Sequence, residues 1–400
     1  QEYIAKRLGE ESASVVVMDV RNGDVLAMVS KPSYDSNDFN RGLSTKEWKA
    51  LVNNERSPLI NKSIAGVYPP GSIFKMVVLL AALEKGVVTP SHKIFCSGEY
   101  ELGEAKFHCW KRHGHGFVDG TEAITESCDV YFYEIAKRTG IDRIAAMARK
   151  FGLNSASGID LPGEQGGLIP TRGWKRAARD QPWHQGETVI AGIGQGFVLL
   201  TPLQMALMTA RLANGGRAIV PHLTRSVGTS VTEKTQSIDV PSLNIPPGHL
   251  KLVTDAMNRV VNHPRGTARR SATGIEEFPM AGKTGTVQVR RITKAERDAG
   301  VRKNKDMPWK HRDHALFVGF APVDNPRYAI SVVVEHGGGG SSVAAPIASD
   351  VMAEAYRRNS AGPGAGIAGA APQQNTTTDT RAEEDVERPT TIAQDEGGQT

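Results

Sequence analysis

A serine and a lysine three residues apart, Ser72 and Lys75, head the run Ser72-Ile73-Phe74-Lys75-Met76-Val77-Val78-Leu79-Leu80-Ala81-Ala82-Leu83. Pro69-Pro70-Gly71 precedes this run and the next breaker is Gly86, so a helix is expected to open at Ser72. Three residues advance a helix by about 300° and nearly one turn, which puts both side chains on one face within reach of each other. Such a pair makes a nucleophile. A hydroxyl attacks poorly while protonated, and a lysine whose ammonium form is disfavoured by burial takes its proton. The apolar residues from Ile73 to Leu83 supply that burial. The plainer reading is a core helix capped by Ser72 with Lys75 reaching solvent. One S-x-x-K triplet does not decide between them, although the chain contains no other.

Lys283-Thr284-Gly285-Thr286 opens a predicted strand. A cation and two hydroxyls around a glycine suit a carboxylate: Lys283 adds charge, Thr284 and Thr286 donate, and Gly285 lets a ligand approach the backbone. On a sheet edge the same segment takes an extended peptide by strand addition; an ordinary turn into a strand is the alternative. Ser127-Cys128-Asp129 falls at a helix break, where the serine is placed to relay a proton. Alone, that triplet says nothing.

These residues need elements to hold them. With 400 residues, 39% of them hydrophobic, the chain is long enough for two domains or one two-lobed domain. No apolar run approaches twenty residues, so nothing here spans a bilayer. The chain starts at Gln1 without an initiator Met or signal peptide, and it is expected to be a fragment or processed form whose anchor would lie upstream. Residues 360–400 hold seven acidic residues against Arg381 and Arg388, which leaves the body at +10 within a net charge of +5. A basic body suits anionic partners such as phospholipid headgroups or acidic peptides. Nucleic acid is excluded, because the cations are interleaved with acids and form no compact array.

In chain order, residues 1–11 read as a charged helix. The runs 14–20 and 25–30 around Arg21-Asn22-Gly23-Asp24 read as a buried hairpin. Residues 31–70 should cross the surface, 87–120 should be irregular and polar, and 121–152 helical with a break near Ser127. A loop-rich stretch over 155–190 precedes helices over 201–213 and 248–261. Strand patterns return at 282–290 and 315–335, separated by a basic excursion over 290–313, and a helix over 344–358 closes the folded part. The remainder is Ala, Gly, Thr, Gln and acids, which cannot bury a core. The expected organisation is therefore one folded domain, 1–358, and a disordered acidic tail, 359–400. Strands at both ends with a helical middle define an α/β (α+β) fold: an antiparallel sheet closed by distant segments and flanked by helices, with an inserted helical lobe and a cleft at the junction.

Read in order, S-x-x-K at 72–75, S-x-D at 127–129 and K-T-G at 283–285 resemble the signature set of the penicillin-binding protein and serine β-lactamase superfamily. Four flanking strings narrow the likeness: Lys31-Pro32-Ser33-Tyr34-Asp35, Gly66-Val67-Tyr68-Pro69-Pro70-Gly71-Ser72, Gly192-Ile193-Gly194-Gln195-Gly196 and Arg312-Asp313-His314. They are similar to class B penicillin-binding proteins, closest to the elongation subgroup, penicillin-binding protein 2, over about residues 10–357. The glycine run at 192–196 lacks the G-x-G-x-x-G spacing of a dinucleotide loop.

The resemblance implies the penicillin-binding transpeptidase fold and a D,D-transpeptidase that cross-links peptidoglycan. Ser72 would attack the penultimate D-Ala carbonyl of a stem peptide, release the terminal D-Ala and hold an acyl-enzyme; β-lactams would acylate the same serine. Lys75 would be the acylation base, Ser127 the proton relay, and the backbone amides of Ser72 and Thr286 the oxyanion hole. Lys283, Thr284 and Thr286, with Gly285 between them, would hold the terminal carboxylate. Asp129 stands where asparagine is commoner, although the elongation subgroup resembles this chain in having aspartate there, and a carboxylate stabilises the charged form of Lys75. No cofactor is implied for catalysis. The implied partners are the stem peptide, β-lactams, a RodA-like SEDS glycosyltransferase, an MreC-like scaffold and the membrane through an amino-terminal anchor. The implied location is the periplasmic face of the inner membrane. A β-lactamase or D,D-carboxypeptidase and a non-catalytic β-lactam sensor or scaffold are the competing readings. Against the lactamase stand the lack of an E-x-x-L-N string and the separation of 156 positions from Ser127 to Lys283.

Cys96, Cys109 and Cys128 fall within 33 residues, with His108, His113 and His115 between them. Three thiolates and an imidazole make a tetrahedral zinc set. Some elongation transpeptidases resemble this in holding zinc beside the second motif, with His and Cys at places matching His115 and Cys128, and Gly114-His115-Gly116 favours His115. A Cys96–Cys109 disulfide, suited to an oxidising compartment, and free thiols are the alternatives.

Overall fold

The computed structural model describes residues 1–224, 226–227, 230–231, 240–290, 292, 296 and 299–360. Of the tail expected to be disordered, 359–400, residues 361–400 lie outside this set, as do six residues of the basic excursion, whereas Asn359 and Ser360 continue the last helix. The described strands are Ala13–Asp19 (β1), Val25–Lys31 (β2), Ile94–Cys96 (β3), Glu99–Leu102 (β4), Ala105–His108 (β5), Gly116–Val118 (β6), Ser226–Val227 (β7), Ser230–Val231 (β8), Ala281–Val287 (β9), His314–Ala321 (β10) and Tyr328–Val334 (β11). The helices are Glu2–Leu8 (α1), Asn37–Arg41 (α2), Thr45–Val52 (α3), Lys75–Glu84 (α4), Gly120–Thr125 (α5), Asp129–Thr139 (α6), Ile141–Lys150 (α7), Arg172–Arg179 (α8), Gln185–Ala191 (α9), Pro202–Ala213 (α10), Pro247–Asn262 (α11) and Ala345–Ser360 (α12).

The main sheet is antiparallel throughout, in the order β2-β1-β11-β10-β9. Every residue of β1 and β11 is buried, because helices cover both faces. Side chains alternate across a strand. Val16 and Met18 therefore pack with Leu203, Ala206, Leu207 and Ala210 of α10, while Val15 and Val17 join the larger core that includes Ile4, Leu8, Ile347 and Val351. Segments from both ends of the chain close the sheet, and β9 forms one edge. The lobe between them centres on α4, buried from Lys75 through Leu83 and surrounded by α6, α7 and α11. A helix apolar on all sides is a core helix.

Several local expectations are corrected. Gly71–Phe74 is a 3-10 turn, and the α-helix opens at Lys75 rather than Ser72. Gly71 takes φ +54° and donates its N–H to Gly194 O at 2.9 Å, so the chain enters the helix through a bent, externally held turn. Residues 31–70 include α2 and α3, the latter begun by a Ser44–Glu47 capping box. The irregular stretch 87–120 contains two ribbons, β3–β6 and β4–β5, whose strands are too short to show periodicity. The loop-rich reading of 155–190 missed α8 and α9. Buried Lys175 on α8 pairs with both carboxylate oxygens of Glu187 on α9, at 2.6 and 2.7 Å. An ion pair does there what an apolar stripe does elsewhere, and a hydrophobic pattern cannot report it.

Candidate active site

The three motifs come from the head of α4, the head of α6 and edge strand β9. Glycines bring the first and third together. A Cβ on Gly285 would lie 3.1 Å from Pro70 O and 3.3 Å from Ile73 Cγ1, and one on Gly71 would lie 3.2 Å from Thr286 O. The strand thus lies directly against the Gly71-Ser72 turn. The 192–196 run supports that turn from behind: a Cβ on Gly194 would lie 2.2 Å from Gly71 O, closer than any side-chain atom can sit. These glycines serve backbone contact, not phosphate binding.

Ser127 sits between the two lysines. Lys283 Nζ donates to Ser127 Oγ at 2.9 Å and Lys75 Nζ donates to the same oxygen at 3.3 Å. Both lysines are fully buried, and Ser127 and Asp129 are nearly so. Lys75 Nζ also donates to Ser127 O at 2.9 Å and to Asp129 Oδ1 at 2.7 Å. Its three hydrogens are then fully used, the arrangement of an ammonium paired with a carboxylate. Ser127 Oγ has both lone pairs filled, which leaves its own hydrogen for a further acceptor. Ser127 holds φ +57°, a region non-glycine residues rarely adopt.

Two lysine amines face one carboxylate at this site. Burial, then the nearby charge of Lys75, drives Lys283 well below the ordinary lysine range, with Asp129 opposing the shift. Burial also lifts the Asp129 carboxyl, with Lys75 pulling the other way. Ser72 is half-buried at the pocket surface, and among the described residues its hydroxyl makes no hydrogen bond. The direct Ser72–Lys75 bond suggested by their spacing is thus replaced by Lys75 bonds to Ser127 and Asp129. Thr284 Oγ1 lies 2.8 Å from Thr267 Oγ1. Thr286 is the one exposed residue of β9, and its Oγ1 accepts the N–H of Gly340 at 3.1 Å.

The sequence reading missed Thr267, Trp110 and the Tyr68–Glu335 latch. Tyr68 OH donates to Glu335 Oε1 at 2.8 Å and Ser12 Oγ to Oε2 at 2.5 Å, tying the segment that leads to Ser72 to the end of the sheet. Tyr68 lay inside a quoted motif, but its partner is 267 residues away in the chain, and no local signal names it.

Beside the second motif, Cys96, Cys109, His115 and Cys128 bring their ligand atoms within 4.8 Å of one another. His115 Nδ1 is 3.5 Å from Cys96 Sγ and 3.6 Å from Cys109 Sγ. A tetrahedral zinc site with Zn–S near 2.3 Å spaces its donors by roughly 3.5–4 Å; the donor types suit that ion and the two histidine–thiol distances fall in this range. Among the described residues no disulfide forms, and all three thiols are buried. Hydrogen bonds from the other two thiols pull Cys96 down to about 3, while the same contacts push Cys128 up; three crowded sulfurs cannot all ionise unaided. His108 and His113 are not part of the group. His108 instead accepts the Tyr133 hydroxyl on its carbonyl.

Residues 13–353 match the penicillin binding protein transpeptidase domain, and the chain belongs to that family. Among curated proteins it is 40% identical over 358 residues to peptidoglycan D,D-transpeptidase MrdA of Haemophilus influenzae, covering 88% of this chain and 54% of that one. The chain thus spans about half the length of the curated relatives it matches. Among solved structures, Pseudomonas aeruginosa PBP2 in complex with WCK 5153 superposes with a TM-score of 0.77 at 41% identity, covering 89% of this chain and 76% of that one. Helicobacter pylori PBP2 in complex with MreC gives 0.79 at 34% identity, covering 90% and 62%. The antiparallel sheet with its inserted helical lobe is the transpeptidase fold.

Proposed function

We propose that this domain, residues 1–358, is a serine D,D-transpeptidase that cross-links peptidoglycan stem peptides. The observation that carries the reading is the Ser127 hydroxyl, hydrogen-bonded to both Lys75 and Lys283, which joins the three motifs in one buried pocket beside Ser72. Lys75, after passing one proton to the Asp129 carboxylate it bonds, accepts the Ser72 hydrogen. Ser72 Oγ bonds to the penultimate D-Ala carbonyl carbon, the C–N bond to the terminal D-Ala breaks, and Ser127 passes the proton to the departing amine. The amine of a second stem peptide then attacks the ester and restores Ser72. Backbone amides of Ser72 and Thr286 stabilise the oxyanion. Lys283, Thr284 and Thr286 receive the terminal carboxylate, and edge strand β9 pairs with the extended peptide through Gly285. A β-lactam acylates Ser72 by the same route.

Zinc held by Cys96, Cys109, His115 and Cys128 supplies a structural cross-link, with no part in the bond changes. The intact protein would act at the periplasmic face of the inner membrane, with an MreC-like scaffold and a SEDS glycosyltransferase as partners. The family membership and the MreC complex of the Helicobacter pylori relative support that placement.

Release of D-Ala from a stem-peptide donor, together with the lifetime of a fluorescent penicillin adduct, tests the reading. Wild type should release D-Ala only in the presence of Ser72 and keep the label for hours. Rapid loss of label would point to a hydrolase instead. Stable labelling without D-Ala release would point to a sensor.

A further inference from the structure

Trp110 makes three hydrogen bonds, and they converge on the groups that hold the Lys75 amine. Its backbone N–H donates to Asp129 Oδ2 at 2.9 Å, while its indole Nε1–H is shared between the carbonyls of Glu126 and Ser127, each at 3.1 Å. Lys75 takes the other oxygen of the same carboxylate and the same Ser127 carbonyl. Packing accounts for little of the residue: its ring meets His115 edge-on with centroids 5.6 Å apart, but Trp110 is 61% exposed and a tryptophan kept for its apolar bulk is mostly buried. Its single side-chain donor is committed to the turn in which Ser127 takes the left-handed conformation, a backbone state that persists only where surrounding contacts enforce it. Rotation of the Ser127–Cys128 peptide would carry off the carbonyl that Lys75 touches. Nothing in the three sequence motifs names position 110.

We propose that Trp110 is a positioning residue for acyl transfer. Its indole N–H fixes the Ser127 turn and its main-chain N–H fixes the Asp129 carboxylate, so that the Lys75 amine and the Ser127 hydroxyl are aligned before substrate arrives. The inference rests on the acyl-transfer reading of Ser72.

Two variants separate this role from folding and from substrate contact. Trp110→Phe keeps a ring and the backbone N–H and removes the indole donor. Site-specific replacement by benzothienylalanine keeps the full bicyclic shape and removes the same N–H. Rapid-mixing kinetics with a fluorescent penicillin give the dissociation constant of the initial complex, the first-order acylation constant and a plateau that counts folded sites. Both variants should keep the plateau and the dissociation constant of wild type while the acylation constant falls about tenfold, the effect of one lost hydrogen bond to a group fixing the reacting atoms. If Trp110→Phe loses its plateau through misfolding, the benzothienyl protein decides. Acylation at the wild-type rate in that protein overturns the inference, as does a change confined to the dissociation constant, which would make Trp110 a substrate contact. Wild type that takes no label on Ser72 overturns the acyl-transfer reading instead.

Discussion

Lys75 and Lys283 meet across 208 residues of chain, on a core helix and a sheet strand that are buried by the main hydrophobic core. The neighbouring cysteine–histidine group draws its four residues from one 33-residue stretch. Its ribbons have strands of three or four residues, and Phe95 and Phe117 stand 57% and 68% exposed on them. One site is held by apolar burial around it and the other has little core of its own. A two-stranded ribbon is marginal in water, so the zinc cross-link proposed above would matter more for the second region than for the first, which rests on close packing. The two regions touch where Asp129 N donates to Cys109 Sγ at 3.4 Å.

The contrast predicts unequal responses to mutation. Lys75→Met should be the most damaging, with penicillin acylation reduced by at least about 100-fold through loss of the base. It should also lower the melting temperature, because Asp129 is left as a buried carboxylate without its partner, a cost of about 3–5 kcal/mol in buried pairs; unchanged acylation would remove Lys75 from the chemistry. Gly285→Ala comes next. The new methyl would press on Leu316 Cβ, Pro70 O and Ile73 Cγ1 and shift β9 from the serine turn, so acylation should fall about tenfold or more, since misplacement near 1 Å costs up to 100-fold. Titration of the label against time reads both effects.

Loss of the cross-link should be milder for chemistry and local in structure. Protein purified without added zinc should carry one zinc per chain. Chelation or Cys109→Ser should then open residues 94–118 to protease while the remaining core stays folded. Absence of stoichiometric zinc together with a 96-to-109 disulfide peptide in mass spectra would assign the cross-link to sulfur alone. The smallest effect concerns acid. Burial lowers His314 to about 4, with His336 adding to the shift, and His314 Nδ1 accepts the His336 N–H at 2.9 Å. Between about pH 6.5 and 4 the unfolded chain binds the proton more readily, so this residue's contribution is fully present above 6.5, falls with pH across that window and levels off below it. His314→Gln should lose less melting temperature than wild type between pH 7 and 5.

Much of this site is legible in the sequence. Ser72, Lys75, Ser127 and Lys283 are read from short strings, because each string states a local chemical need and their order limits coincidence. Strands β1, β10 and β11 and the core helix follow apolar runs that match their burial, whereas β2, the other arm of the hairpin expected to be buried, is an edge strand on which only Val29 is buried. Illegible parts share a cause: they act through backbone groups or across long loops. Trp110 bonds to carbonyls, which leave no mark on the sequence of their owners. Gly194 matters through its carbonyl and its missing side chain, and Tyr68 through a carboxylate 267 residues away in the chain. Helix α8 is held by Lys175–Glu187 rather than by an apolar face. The bent start at Gly71–Phe74 depends on a contact with Gly194, 123 residues away.

The central claim is that the Ser72 oxygen forms the acyl bond. Intact-mass measurement after brief incubation with benzylpenicillin, followed by peptide mapping, tests it most directly. A single adduct with the mass of the whole β-lactam, located on the peptide containing Ser72 and lost in Ser72→Ala, is the expected result. An adduct that survives in Ser72→Ala or maps elsewhere, or no adduct on folded wild type, would contradict it.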